Sequence, residues 1–255
     1  MSNESILAIK ERLALITDSS DPYFVQLRQD SRKGVQKLIV QWENKQQKTQ
    51  ALKEKYLVMS QFEQALWQKN VQLIAGLDEV GRGPLAGPVV AAAVILPSDC
   101  QILGLNDSKQ LSAAKRQTLL KEIQQQAVAI GIGVVDQTEI DRINIYQASK
   151  QAMTIAVTNL AIQPEHLLID AMNLELAVEQ TKIIKGDARS ISIAAASIVA
   201  KEIRDQMMSD YHELYPHYGF KNNAGYGTKE HLTGLATHGI TPIHRKTFAP
   251  VKNYL

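Results

Sequence analysis

Apolar residues in the first 70 positions recur at three- and four-residue steps. Val35, Leu38, Ile39 and Trp42 begin a stripe that Leu52, Tyr56, Met59, Phe62 and Leu66 continue. That spacing puts the side chains on one face of one long helix or of two. Such a face packs on a core or meets a partner. Asp21-Pro22 marks an earlier helix start, with a capping carboxylate and proline at the first helical position. From residue 72 the pattern changes to short buried runs. Residues 72–77, 89–96, 128–135, 166–170 and 181–184 read as strands. Residues 112–126 read as a helix capped by Ser112, with Leu119, Leu120 and Ile123 on one face. Residues 137–160 are helical in pieces, and 190–208 form a long helix entered through closely packing alanines. Three strands first, then strand–helix alternation, predict an α/β domain around a mixed sheet.

Glycine sharpens the division. Only Gly34 of 14 glycines lies in residues 1–75, and Pro22 is the sole proline before Pro84. Residues 1–70 therefore read as a turn-poor, all-helical extension, and 71–255 as a second domain. With 45% hydrophobic and 21% charged residues, the chain is neither disordered nor fibrous. Its longest apolar run, 89–96, is far short of a membrane span, so no membrane partner is expected. The N-terminus lacks an apolar signal core after a basic start. Cys100 is the single cysteine, which excludes an internal disulfide, and no Cys/His cluster suggests zinc. These features fit the cytoplasm, where the Asn3 and Asn106 sequons are chance matches.

The net charge of +2 conceals a distribution. Residues 71–181 carry 7 Lys/Arg against 12 Asp/Glu, whereas 1–70 carry 11 against 8 and 182–255 carry 10 against 6. Ordinary solvated surface explains this, and so does a partner that joins phosphates with metal ions. The acids themselves are more specific. Asp78-Glu79, Asp170 and Asp187 each follow an apolar strand run. Ligands of α/β sheets gather at strand ends. Four carboxylates brought together there cannot all stay ionised without a cation, and a hard, oxygen-liganded ion such as Mg2+ or Mn2+ would satisfy them. Read singly, each is an ordinary turn residue. Asp205 is a rival ligand on chemistry alone, but mid-helix beside Arg204 it reads as half of a structural ion pair.

Three glycines and two prolines fall within residues 81–88. Glycine lets a ligand approach the main chain, and Arg82 could fork a phosphate. The segment lacks the Gly-Lys-Ser/Thr ending of a P-loop, and a tight hairpin turn explains it equally well.

The ordered blocks carry a resemblance. Residues 76–90, Gly-Leu-Asp-Glu-Val-Gly-Arg-Gly-Pro-Leu-Ala-Gly-Pro-Val-Val, resemble the signature of ribonuclease HII. Asn106-Asp107-Ser108-Lys109, Leu168-Ile169-Asp170, Lys185-Gly186-Asp187 with Ser190 and 193–201, Gly225-Tyr226-Gly227-Thr228-Lys229-Glu230-His231 and His244-Arg245 follow in the family's order. The likeness covers roughly residues 72–250. It implies a ribonuclease H-like mixed sheet flanked by helices with a C-terminal helical region. It also implies cleavage of RNA in RNA–DNA hybrids and incision 5′ of single ribonucleotides in duplex DNA, leaving 3′-hydroxyl and 5′-phosphate ends.

By motif match, Asp78, Glu79, Asp170 and Asp187 are the catalytic metal ligands for two Mg2+ or Mn2+ ions; Asp78, which lies nearest the rigid strand, is the expected bridge. Gly81, Arg82 and Gly83 can offer backbone groups to a 2′-hydroxyl, the feature that marks RNA. Tyr226 resembles the family tyrosine that packs on the next deoxyribose. Lys109, Lys185, Ser190, Lys229, His231 and Arg245 are expected to contact substrate, with Lys201 and Arg204 as further phosphate candidates. The expected partner is nucleic acid and the expected state a monomer; the role of 1–70 is open.

Overall fold

A computed structural model describes residues 4–255. In chain order the helices are α1 (Ile6–Leu15), α2 (Pro22–Leu27), α3 (Lys33–Met59), α4 (Gln61–Trp67), α5 (Ala113–Gln126), α6 (Gln137–Ile143), α7 (Ile145–Thr158), α8 (Ile191–Leu214), α9 (Phe220–Asn223) and α10 (Lys229–His238). The strands are β1 (Ile74–Val80), β2 (Val89–Ile95), β3 (Ala129–Val135), β4 (His166–Asp170) and β5 (Glu179–Ile183). The chain divides into two compact units, which meet in sequence at Lys55 and Tyr56.

The first unit is helical. Asp21 caps α2, accepting from the Tyr23 amide at 2.8 Å, with Pro22 at the first helical position. Ile9, Leu13, Phe24, Leu27, Val35, Ile39 and Trp42 form its small core. Trp42 packs on Phe24 with ring centroids 4.2 Å apart, and its Nε1–H donates to the Ile16 carbonyl. The long apolar stripe is therefore divided. Its early members build this core, Leu52 is exposed, and Tyr56 and Met59 pack in the second unit. Helix α4, which the sequence groups with the N-terminal extension, also packs there: Phe62, Leu66 and Trp67 lie against Ile74, Leu168, Ile183 and Ile193.

The second unit holds a five-stranded mixed sheet in the order β3-β2-β1-β4-β5. β1, β2 and β3 pair antiparallel, whereas β1, β4 and β5 run parallel. Successive strand side chains alternate between faces. On β2, Val89, Ala91, Ala93 and Ile95 belong to the core that includes α7, while Val90, Ala92 and Val94 belong to the one that includes α5 and α8. Both faces are thus covered, and β2 is buried throughout. A third cluster joins Leu85, Ala86 and Met208 to Tyr218, Phe220, Leu235, Ile243 and Val251 of the C-terminal helical region.

The sequence ends the first strand at residue 77. The structure carries β1 through Asp78, Glu79 and Val80, because these pair with Ala92, Ala91 and Val90 of β2. The strand expected at 181–184 starts earlier, at Glu179, where β4 supplies the pairing. Helix α8 runs past 208 to Leu214.

Candidate active site

Strand register gathers the acids. Leu77 of β1 lies opposite Ile169 of the parallel neighbour β4, so Asp78 and Asp170 are the next positions on adjacent strands. Beyond β5 the chain enters the 3-10 turn Gly186–Ala188, which carries Asp187. The Gly186 N–H donates to Asp170 Oδ1 at 2.7 Å and ties this turn to the end of β4. On the other side, Gly76 packs against the start of α8, where a Cβ would collide with the Ser192–Ile193 backbone.

The charges are mutually unfavourable. Asp78 is 6% exposed. Burial first, then the charges of Glu79, Asp170 and Asp187, push its carboxyl well above the ordinary range, against a hydrogen bond from Ser197. Burial and Asp170 raise Glu79 to about 7 although Arg82 opposes them. Asp187 is raised by burial, Asp107 and Asp170. Glu79 Oε2 is buried without a hydrogen-bond partner. Burial works against the Lys109 ammonium, yet Asp78, Asp107 and Asp187 together hold its pKa above the ordinary value. Such perturbation by burial plus specific charges characterises functional sites.

The turn after β1 is held from behind. Gly81 has φ +95°, and a Cβ there would strike Arg204. Arg245 donates to the carbonyls of Gly81 (2.5 Å), Arg82 (3.0 Å), Gly87 (2.8 Å) and Pro88 (3.3 Å). Arg204 donates to Pro88, Ala86 and Ala224. Both guanidiniums are buried, which lowers them to about 9 and about 10 respectively. The Arg82 side chain is exposed and meets Glu79 at 3.3 Å. Among the described residues the Arg82 and Gly83 N–H groups make no protein hydrogen bond. Tyr226 is 45% exposed, and its ring lies 3.3 Å from where a Gly83 Cβ would stand.

Several expected substrate contacts are corrected by burial. Arg245 and Arg204 are spent on backbone carbonyls and are unavailable to phosphate. His231 is fully buried, its Nδ1 3.0 Å from the Tyr226 carbonyl and its Nε2 2.9 Å from His244 Nε2. Ser190 is also buried; it caps α8 and donates to Glu63. Lys109, Lys185 and Lys229 remain exposed, Lys109 beside the carboxylates. Lys201 pairs with Asp205 at 2.6 Å. Asp205 also meets Arg116, which fits its reading as a structural ion-pair residue.

The sequence reading overlooked Asp107 and Ser197 as members of the site. Asp107 sits one residue from Ser108, whose hydroxyl is 2.9 Å from that of Ser197. The signal was present in Asn106-Asp107-Ser108-Lys109, but an acid in a turn carries no charge partner until the chain is folded.

Among the described residues no three His, Cys, Asp or Glu side chains form a ready-made cage. The acids nonetheless fit a hard divalent cation. All donors are carboxylate oxygens, one is buried and unpartnered, and the group repels itself when ionised. Mg2+ needs few protein ligands and keeps waters, so an open set of acids suits it better than a closed cage.

The chain matches the Ribonuclease HII family model over residues 75–251 and the Ribonuclease HII N-terminal domain model over residues 5–67. It is 62% identical over 255 residues to Ribonuclease HII of Enterococcus faecalis, covering 100% of both chains. The crystal structure of ribonuclease H2 from Pyrococcus horikoshii superposes with a TM-score of 0.62 at 24% identity, over 71% of this chain and 96% of that one. Bst-RNase HIII in complex with Mn2+ does so with 0.55 at 19% identity, over 74% and 72%. At such identities the structures establish the fold alone. No helix among the described residues is long and apolar enough to cross a membrane. By its sequence blocks, its full-length relative and its fold, the chain belongs to the ribonuclease HII family of nucleases, which cleave the RNA of RNA–DNA hybrids.

Proposed function

We propose that this protein incises duplex DNA on the 5′ side of single embedded ribonucleotides, besides cutting longer hybrids, by two-metal phosphodiester hydrolysis. The observation that carries this reading is the meeting of four self-repelling carboxylates with a glycine turn whose Arg82 and Gly83 N–H groups make no hydrogen bond among the described residues and whose flank is an exposed tyrosine.

Hydrolysis needs a water in line with the leaving oxygen and a counter-charge for the developing oxyanion. Bound divalent cations, Mg2+ or Mn2+, supply both. Asp78, Glu79, Asp170 and Asp187 would hold them. Asp78, fixed within β1, suits a shared ligand. The Mn2+ complex of Bst-RNase HIII supports this choice of ion. Lys109 adds a positive charge beside the acids. Arg82, now paired with Glu79, can turn to a phosphate. Lys185 and Lys229 are exposed cations that position a duplex through its phosphates without reading bases.

Selectivity needs a sensor for the 2′-hydroxyl. The free Arg82 and Gly83 N–H groups can donate to it, and no Cβ at Gly83 hinders the approach. The Tyr226 ring suits packing against the next sugar. Cleavage leaves a 3′-hydroxyl and a 5′-phosphate, an end suited to ribonucleotide excision repair in the cytoplasm. We place the catalytic residues on 71–255, acting as a monomer, with 1–70 as a helical extension whose last helix, α4, packs within the same compact unit.

The test is a DNA duplex carrying one ribonucleotide, incubated with Mg2+, Mn2+ or chelator, its products mapped to the nucleotide. A metal-dependent cut directly 5′ of the ribonucleotide is expected. Cutting of a long hybrid without this incision would overturn the junction reading and leave the metal site standing. Binding of both duplexes with no cutting of either would favour a non-catalytic hybrid binder.

A further inference from the structure

Glu63 of α4 is fully buried. Its Oε1 accepts from the Ser190 hydroxyl at 2.5 Å and from the Ser192 N–H at 3.0 Å. Its Oε2 is buried without a partner. Burial raises its pKa, while the Ser190 and Ser192 hydrogen bonds pull the other way. A carboxyl in this setting is costly, so its presence asks for a cause.

Helix capping is not sufficient. Ser190 already caps α8 with its own oxygen, which accepts from the Ile193 N–H at 3.2 Å. Helices α1, α5 and α10 begin in the same manner with Ser5, Ser112 and Thr228. Among the described residues none of those three cap hydroxyls donates to an acid of another helix. The distinction of α8 lies in what adjoins its start. The Ser190 N–H donates to the Gly186 carbonyl at 2.8 Å. The Gly186 N–H donates to Asp170 Oδ1 at 2.7 Å. Asp187 follows Gly186 in the same turn. The backbone of Ser192–Ile193 in turn abuts Gly76, two positions before Asp78 on β1.

We infer that Glu63 is a positioning residue for the metal site: through Ser190 and Gly186 it fixes Asp170 and the Asp187 turn in the arrangement that binds divalent cations. The inference rests on the assignment of those acids as metal ligands. It gives α4, within the stretch matched by the N-terminal domain model and outside the 75–251 match, a task in the catalytic centre. The relay acts on geometry. Mutation of groups that orient metal ligands costs about 10- to 100-fold in metal affinity or activity.

The experiment measures Mn2+ binding calorimetrically on the full-length, substrate-free protein, alongside kcat, KM and melting temperature. Glu63→Gln retains an accepting oxygen and should stay within about twofold of the parent. Glu63→Leu removes the acceptor and should lose about tenfold or more in Mn2+ affinity and in kcat, with KM changed less than kcat. Ser190→Ala, which cuts the same relay with a smaller change in volume, should act in the same direction and replaces Glu63→Leu if that variant does not fold. Wild-type Mn2+ affinity and kcat in a relay-cutting variant, with only a lower melting temperature, would make Glu63 a structural cap and overturn the inference. Asp187→Asn separates the two levels. If it binds Mn2+ like the parent, the ligand assignment fails. If it loses Mn2+ while the relay variants do not, the assignment stands and the inference falls.

Discussion

Asp78, Glu79, Asp170 and Asp187 bring like charges together with too few partners, whereas Arg204 and Arg245 are like charges each surrounded by carbonyl oxygens. The arginines are fully buried, whereas of the acids Asp78 is buried and the other three are half-buried; both groups border the turn that starts at Gly81. The arginines donate to the carbonyls of Gly81, Arg82, Ala86, Gly87, Pro88 and Ala224, which compensates their lost hydration. The acids leave Glu79 Oε2 unpartnered and hold Asp78 far above its ordinary pKa. A buried charge with a full set of hydrogen bonds shapes the backbone; a buried charge without one is held ready for a ligand. The turn inherits its conformation from the first group and meets the chemistry of the second.

The histidines belong to the satisfied side. His231 Nδ1–H donates to the Tyr226 carbonyl, which leaves His231 Nε2 to accept from His244 Nε2–H. His244 Nδ1 then accepts from the Thr241 N–H and lies 2.8 Å from its hydroxyl. This assignment, made from the network, gives every ring nitrogen a partner with both rings neutral.

The comparison breaks most visibly at Asp78. Asp78→Asn should lower cleavage by about 10³-fold or more, yet the metal-free variant should melt at or above the parent temperature at pH 8, because a repelled charge is removed. A clearly lower melting temperature would mean that Asp78 stabilises the fold. Arg245→Met tests the opposite group. Four carbonyls lose a charged donor, so the loss should be about 3 kcal/mol or more in chemical denaturation. A variant of parental stability would show that the turn holds its own shape.

The smallest effect concerns His244, which burial and then His231 push down to about 4 from the ordinary 6.5. The unfolded chain takes up this proton near pH 6.5, the folded chain only near 4. The stability is therefore complete above 6.5 and lost as pH falls through that window. Glu79, raised to about 7, acts with the opposite sign: in metal-free protein it favours the folded state as pH falls through 7. The difference between parent and His244→Gln isolates the histidine. That deficit, read as melting temperature, should narrow as pH drops from 7 to 5; a constant deficit would show that His244 takes up no proton on unfolding in this range.

Much of the site was legible as residues and little as neighbours. Asp78, Glu79, Asp170 and Asp187 were named together by their motif match, because read singly an acid after a strand run is an ordinary turn residue; that they are neighbours is a matter of strand register. Lys109 was named and lies beside them. Arg245 and His231 were misread, because a basic residue near a motif looks the same whether it faces phosphate or a carbonyl. The sequence shows charge and omits burial. Asp107 and Ser197 join the site through packing of α8 and the turn at Ser108, and Glu63 lay within a helical stripe whose next turn gave no sign that it would be buried.

Local pattern determined most of the elements. The proline at the start of α2, the serine cap of α5, the buried run of β2 and the β4 run ending in Asp170 depend on neighbours in sequence, and the structure holds them where the pattern put them. Strand pairing decided what local pattern could not. β1 continues through Asp78 and Glu79 only because β2 offers Ala92 and Ala91 opposite them, and the parallel register of β4 sets Asp170 beside Asp78. The charge of a side chain is written in the sequence; its partners, and hence its pKa and its role, are set by folding, which brings Asp170 beside Asp78 and Arg245 to the Gly81 carbonyl across 164 positions.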